Sequence, residues 1–331
     1  MAVTLKDVAL RAGVSRSAVS RTFTKGASVS QKTRDKVLAA AVALNYQPNI
    51  LARSLSTRRT KLVGLVSNNF HNPVFLQVFD LFTRRLQDHG LRPLLVNLSD
   101  ETDPEASIQL LRQYSVDGVI VASSTLPPEF SKLFAEAGLP VVHTFGRYAE
   151  HPDVDTVGID NFACGRMAAA ALLSQQYTRI GYLGGPASAT SSRDRLAGFQ
   201  AELDKRSDVQ LSHRFAEAYS FDAGRTAMLQ ELSTDPAEAY FCADDVLTIG
   251  AMSAVRSSGR SVPEDIGLIG LNDMEMAGWD SFSLTTIHQP IDAIVTASVD
   301  LVVAKLGREG PQDAPKAHLF PCHVVYRGTL R

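Results

Sequence analysis

A small all-α head joined to an α/β body of two doubly wound parallel-sheet lobes is the fold class that this chain predicts. Three observations carry it. Up to about residue 60, apolar residues recur at helical spacing in short stretches. From Lys61 onward, short apolar runs alternate with helical stretches, which argues for parallel strands covered on both faces. That alternation falls into two series of similar length, the second beginning after Asp160. A chain of 331 residues holds about two to three domains, and its 45% hydrophobic content is ample for buried cores.

The head reads element by element. Thr4 can cap a first helix, with Asp7 three residues on as in a capping box. Val8, Ala9 and Ala12 make one apolar stripe, and Gly13 supplies the permissive backbone of a tight turn. Ser15 can cap a second helix, in which Ala18, Val19 and Phe23 point to the core. Arg16, Ser17, Ser20 and Arg21 fall on its opposite face. Ser30 can cap a third helix running to about Asn45, where Val37, Ala41 and Leu44 close a three-helix core. Asn49 can cap a further helix over 50–56, too short to stand alone in water.

In the body, apolar runs at 62–66, 93–98, 118–122 and 140–143 read as strands. Helical stretches lie between them at about 73–89, 104–113 and 128–137. The second series opens with a helix over about 161–175. Strands follow at 179–185, 239–242 and 266–271, with helices near 192–204, 222–232 and 245–258. HVVYRGTL, near residue 331, is the last expected strand.

Charge divides the chain at the same place. Residues 1–60 hold 11 Lys and Arg against 2 Asp and Glu, net +9. The remainder holds 22 against 33, net −11. A basic head on an acidic body is the electrostatic footprint of a modular nucleic-acid binder. The Arg and Ser face of the second helix suits the major groove, where Arg reads guanine and Ser meets either partner. Cys164, Cys242 and Cys322 are far apart in sequence, show no metal spacing and suit a reducing cytoplasm. Lys6, Asp7 and Arg11 interrupt any leader-like apolar run, and no run approaches the length of a membrane span, so a cytoplasmic protein without membrane contact is expected.

Enzyme motifs are missing. The chain has no G-x-G-x-x-G after a strand, no phosphate-binding G-x-x-x-x-G-K-[ST], no G-x-S-x-G and no metal-ligand grouping of its histidines. Accordingly, no catalytic residue, metal or cofactor is expected.

The stretch TLKDVALRAGVSRSAVSRTF at 4–23 resembles the helix-turn-helix of the LacI/GalR family of bacterial transcription regulators. Asn45, Tyr46, Pro48, Asn49, Ala52 and Leu55 match the end of that family's headpiece and its hinge helix. The resemblance extends over nearly the whole chain and implies a core built like a periplasmic sugar-binding protein. It implies a headpiece over 1–46, a hinge over 47–60 and a core over 61–331. The first lobe would hold about 61–160 and 291–321, the second about 161–289 and 322–331, with three crossings near 159–161, 289–290 and 321–323.

The resemblance also implies roles for residues. Arg16, Ser17, Ser20 and Arg21 would face bases, while Thr4, Ser15, Thr33 and Tyr46 would contact the DNA backbone. Asn49, Ala52 and Leu55 would act at a minor groove, with Leu55 as the apolar wedge. A small polar effector, a sugar or sugar derivative, would sit between the lobes at the carboxyl ends of the strands. Candidate contacts are Asn68, Phe75, Ser123, Phe145, Arg195, Tyr219, Asp244, Asn272 and Gln289, with Asn69 and Ser124 beside them and Asn72 opening the family-like motif Asn72-Pro73-Val74-Phe75. Two positions depart from the family: Ala243-Asp244-Asp245 and Gly270-Leu271-Asn272-Asp273 exchange an amide and a carboxylate. A homodimer on a palindromic operator is expected, since no heptad tail is seen for higher assembly. Repression is the family's usual mode. Activation would depend on where the operator lies, and the effector's sign, induction or co-repression, stays open.

Overall fold

The computed structural model describes residues 3–24, 26–47, 59–98, 104–307 and 313–331. The chain forms two compact units, Met1–Thr60 and Lys61–Arg331.

In the first unit three helices, α1 (Leu5–Ala12), α2 (Arg16–Thr22) and α3 (Gln31–Ala43), enclose a core of Val8, Ala9, Val19, Val37, Ala40 and Ala41. The Asp7 carboxylate reaches back to accept from the Thr4 backbone N–H at 2.8 Å and from its hydroxyl at 2.7 Å. Gly13 ends α1 at φ +65°, in the left-handed region that glycine adopts without strain. Ser15 accepts from the Ala18 N–H at 3.2 Å, and Ser30 from the Thr33 N–H at 3.3 Å. One core assignment changes. Thr22, not Ala18, is buried on α2. Its hydroxyl donates to the Ala18 carbonyl at 2.9 Å, which lets a polar side chain lie inward. The expected hinge residues Pro48, Asn49, Ala52 and Leu55 lie outside the described residues.

The second unit is two six-stranded sheets. The first contains β1 (Leu62–Ser67), β2 (Arg92–Asn97), β3 (Gly118–Ala122), β4 (Val141–Thr144), β5 (Asp155–Gly158) and β11 (Ala317–Leu319). Their order is β11-β5-β4-β3-β1-β2, all parallel. The second sheet contains β6 (Arg179–Gly184), β7 (Gln210–Phe215), β8 (Ala239–Cys242), β9 (Gly267–Asn272), β10 (Thr286–His288) and β12 (His323–Val325). Its order is β12-β10-β9-β8-β6-β7, parallel except for β12. Without its last strand each sheet repeats one doubly wound order. The strand order reverses at β1/β3 in one sheet and at β6/β8 in the other. That reversal opens a crevice at the carboxyl ends of the strands, where such folds bind ligands.

Helices α4 (Val74–Asp88), α5 (Pro104–Gln113), α6 (Pro128–Glu136) and α11 (Ile291–Gly307) belong to the first lobe. Helices α7 (Asn161–Ser174), α8 (Thr190–Leu203), α9 (Phe221–Leu232) and α10 (Asp245–Ser257) belong to the second. The chain passes between lobes after β5, after β10 and after β11. Three passages of chain thus connect the two lobes.

Candidate functional site

On α2 the side chains of Arg16, Ser17, Ser20 and Arg21 are exposed. Val19 anchors the helix from the other side, fully buried. Tyr46 is half-buried, with its ring 5.9 Å from that of Phe23, and burial raises its phenol pKa. It therefore braces the small core as well as edging its surface. Thr33 is half-buried, and its hydroxyl pairs with that of Ser30 at 2.8 Å.

In the second unit a cavity lies at the carboxyl ends of both sheets. Both lobes line it. Phe75 comes from the start of α4, Phe145 from the end of β4, and Arg195 from α8. Tyr219 precedes α9, Asp244 caps α10, Asn272 ends β9, and Gln289 stands at the second crossing. All seven are buried.

The Asp244 carboxylate ties the walls together. Its Oδ2 accepts from Asn72 Nδ2 at 2.9 Å and from Asn272 Nδ2 at 2.8 Å, while its Oδ1 accepts from the Val246 N–H at 2.8 Å. Asn72 belongs to the first lobe, so one carboxylate spans the cleft. Burial raises the Asp244 pKa against these bonds, which lower it. The exchanged amide and carboxylate thus prove to be hydrogen-bonded partners. Exchanging them leaves an Asp–Asn pair facing the same space.

Arg195 Nε donates to Asn161 Oδ1 at 2.8 Å, and its Nη1 to the Ala243 carbonyl at 2.5 Å. Both bonds go to uncharged acceptors, which leaves guanidinium N–H donors for a ligand. The Tyr219 hydroxyl pairs with those of Ser192 at 2.8 Å and Ser191 at 3.2 Å. The Tyr219 ring lies on Gly185, where any Cβ would overlap it. Phe145 adopts φ +63°, unusual for an aromatic residue, and meets Phe75 edge-on with ring centres 6.0 Å apart.

Two expected contacts do not line this cavity. Ser123 Oγ donates to Asn68 Oδ1 at 2.8 Å, and Asn68 Nδ2 donates to Thr125 Oγ1 at 2.8 Å. Asn68 and Ser123 spend their polar groups bracing the ends of β1 and β3. Their neighbours Asn69 and Ser124 face the cavity instead. Asn72, which opens the motif Asn72-Pro73-Val74-Phe75, also lines it, and so does Asn161, which did not stand among the expected contacts. The signal for Asn161 was available, since it opens a helix directly after the first crossing. Asp273 turns away, accepting from Arg327 Nη2 at 2.7 Å and pairing with His288 Nδ1 at 3.0 Å.

A second tie spans the lobes at the rim. Arg147, which follows β4, holds Asp194 of α8 through two bonds of 2.9 and 2.7 Å. Among the described residues no group of His, Cys, Asp or Glu is arranged to hold a metal ion. No helix among them is long and apolar enough to cross a membrane.

Comparison with known proteins gives concordant matches. Residues 4–49 match the model of bacterial regulatory proteins, lacI family, and residues 169–330 that of the periplasmic binding protein-like domain. The HTH-type transcriptional repressor CytR of Escherichia coli (strain K12) is 29% identical over 334 residues, covering 100% of this chain and 97% of the relative. The HTH-type transcriptional repressor PurR of Escherichia coli O139:H28 (strain E24377A / ETEC) is 32% identical over 316 residues, covering 93% and 92%. Among solved structures, the lac repressor dimer bound to operator and the anti-inducer ONPF superposes with a TM-score of 0.87 at 27% identity, covering 99% of each chain. The complex of the transcriptional regulator CelR with cellobiose superposes at 0.73 with 28% identity, again covering 99% of each.

Proposed function

The chain belongs to the LacI family of bacterial regulatory proteins, and on that premise we propose that it is a cytoplasmic transcriptional repressor, without enzymatic activity, whose grip on operator DNA is set by a sugar-like metabolite held in the core cavity. The observation that carries the reading is the cavity itself. It draws buried polar groups from both lobes and from the residues beside the hinge passages, so whatever fills it acts on the angle between lobes.

In this reading two chains pair through residues 61–331. Each headpiece, residues 1–46, lays α2 in a major groove. Arg16, Ser17, Ser20 and Arg21 read base edges there, while Thr4, Ser15, Thr33 and Tyr46 hold phosphates. The segment 47–60 supplies Asn49, Ala52 and Leu55 to the central minor groove. Dimer symmetry calls for a palindromic site. In the core, Arg195, Asn161, Asp244, Asn272 and Gln289 would bond the effector's hydroxyl or acidic groups. Phe75, Phe145 and Tyr219 would cover its apolar face. Asp244 accepts from polyol hydroxyls in place of one of its asparagines. A coupling on the order of 1–3 kcal/mol between effector and operator is expected of such a switch.

The test is retention of sheared genomic DNA from the source organism on the purified protein, followed by sequencing. A shared palindrome of about one to two helical turns supports the reading. Retention without a common motif would reduce the head to a general DNA binder. A thermal-shift screen then addresses the ligand. A response to sugars or sugar acids supports the effector class, and a response confined to nucleobases overturns it.

A further inference from the structure

Asp245 opens α10 and is wholly buried, yet it does not line the cavity as its neighbour Asp244 does. Its side chain leans from α10 onto the second sheet. Oδ2 accepts from the Met274 N–H at 2.9 Å, and Oδ1 accepts from Thr286 Oγ1 on β10. On β9 the carboxylate lies against Gly270, which has no side chain to displace it. One side chain therefore joins α10, the turn after β9, and β10.

The turn that Met274 closes is strained. Asn272 stands at φ +128° and Asp273 at φ +59°, so two successive residues with a Cβ occupy backbone that favours glycine. Before them the ladder is regular, with Leu271 opposite Ile287 and Asn272 opposite His288. After them Met274 returns to φ −61°. The strained pair sends two similar side chains in different directions. Asn272 lines the cavity and donates from Nδ2 to Asp244 Oδ2 at 2.8 Å, while Asp273 goes to Arg327 and His288.

We propose that Asp245 is a positioning residue of the cavity: its carboxylate, bonded to the Met274 N–H and the Thr286 hydroxyl, holds residues 272–274 in the strained turn that points Asn272 at the effector. The inference rests on the reading of the cavity as the effector site. The β9 ladder fixes the strained pair from one side, and Asp245 fixes it from the other. The bond from Asn272 to Asp244 does not suffice, because a side-chain amide reaches its partner through two rotatable bonds and leaves the backbone free to relax. Gln289 is placed by the same device. Its N–H donates to the Asn272 carbonyl at 3.3 Å, and it follows the strand that Asp245 holds at Thr286. Hydrogen bonds behind a binding side chain decide how closely that side chain keeps its geometry.

The experiment records heteronuclear spectra of the full-length protein labelled at asparagine, with the Asn272 side-chain signals identified by their loss in Asn272→Ser. In wild type the Asn272 amide pair should carry the downfield shift of a proton bonded to a carboxylate. Asp245→Asn keeps an oxygen for the Met274 N–H and should leave the pair in place. Asp245→Ala should move it to the position of an unbonded asparagine amide. Asp245→Ala combined with Asp273→Gly should bring it back, because glycine takes the left-handed backbone without strain. If Asp245→Ala does not fold alone, the double variant must fold. An unmoved pair in Asp245→Ala would overturn the proposal. So would a pair displaced in Asp245→Asn, or a double variant that stays displaced or unfolded. None of these signals depends on an effector, so the outcome separates the role of Asp245 from the function assigned to the cavity.

Discussion

His143 and Asp245 are buried titratable residues shifted in opposite directions. Burial pushes the Asp245 carboxyl up to about 7, against the bonds it accepts from Thr286 Oγ1 and the Met274 N–H. Room for that carboxylate comes from Gly270, where a Cβ would strike it. Between its ordinary 3.8 and about 7 the native chain holds a proton that the unfolded chain has lost, so stability falls as pH rises. His143 is held neutral down to about 4 by burial, with its Nε2 within 3.0 Å of the Ser123 carbonyl. Between about 4 and its ordinary 6.5 the unfolded chain binds the extra proton, so stability rises with pH. The slopes amount to roughly 4 kcal/mol for Asp245 and roughly 3 kcal/mol for His143 across their windows. Relative to wild type, Asp245→Asn should gain melting temperature from pH 4 to 7, and His143→Asn should lose it up to pH 6.5. Parallel pH profiles for all three proteins would refute the assignment. At Arg195, replacement by Ala should abolish the thermal shift given by any effector and leave operator affinity without effector unchanged; loss of that basal affinity would mark a structural residue. Arg195, Asp244 and Asn272 were singled out by the family resemblance, and all three line the cavity. The division of labour between Asn68 and Asn69, or Ser123 and Ser124, was not legible. Adjacent residues of like chemistry differ only in which way the strand end turns.

Among elements, the second lobe uses glycine to press helices together. A Cβ at Gly165 of α7 would overlap the Arg195 carbonyl, and one at Gly198 of α8 would overlap the Phe162 carbonyl. Gly224 of α9 and Gly250 of α10 repeat the arrangement against Leu247 and Phe221. The first contact sets the cavity, because Arg195 on α8 must reach Asn161 on α7. Gly198→Ala should cost at least about 1–3 kcal/mol by overpacking and weaken effector binding in parallel, measured by urea unfolding and ligand titration. A variant of wild-type stability would show that these helices separate without cost. Periodicity revealed most elements, with helix ends within about two residues of their observed positions. It passed over β5, β7 and the three-residue strands β10 and β11. Asp155–Gly158 is four residues with no apolar run, and Gln210–Phe215 is a polar edge strand. Helix α11 was passed over as well, since Ile291–Gly307 is apolar around much of its circumference and shows no clean stripe.

At the scale of the whole molecule, charge and hinge set separate expectations. With net +9 on residues 1–60, operator binding should weaken steeply with salt in a log–log titration. A flat response would exclude phosphate contacts as the main source of affinity. Three ties cross between the lobes of the core. Asn72 to Asp244 lies deep in the cleft, the Thr190 hydroxyl donates to the Ser124 carbonyl at 3.4 Å, and Arg147 to Asp194 closes the rim. The rim pair is bidentate, but Arg147 is half exposed, so it contributes no more than about 1 kcal/mol. Asn72 to Asp244 is buried and hydrogen-bonded to a charge, so it is worth about 1.5–3 kcal/mol. Removing the rim tie alone should shift the balance of open and closed lobes by at most about fivefold. Removing both should shift it well beyond that. Small-angle scattering should therefore show a modest rise in radius of gyration for Asp194→Asn and a larger one for Asp194→Asn with Asn72→Ala. If the double variant scatters as the wild type does, the passages after β5, β10 and β11 are stiff enough to fix the angle unaided. An effector would then have to act through the conformation of those passages and not through bonds across the cleft.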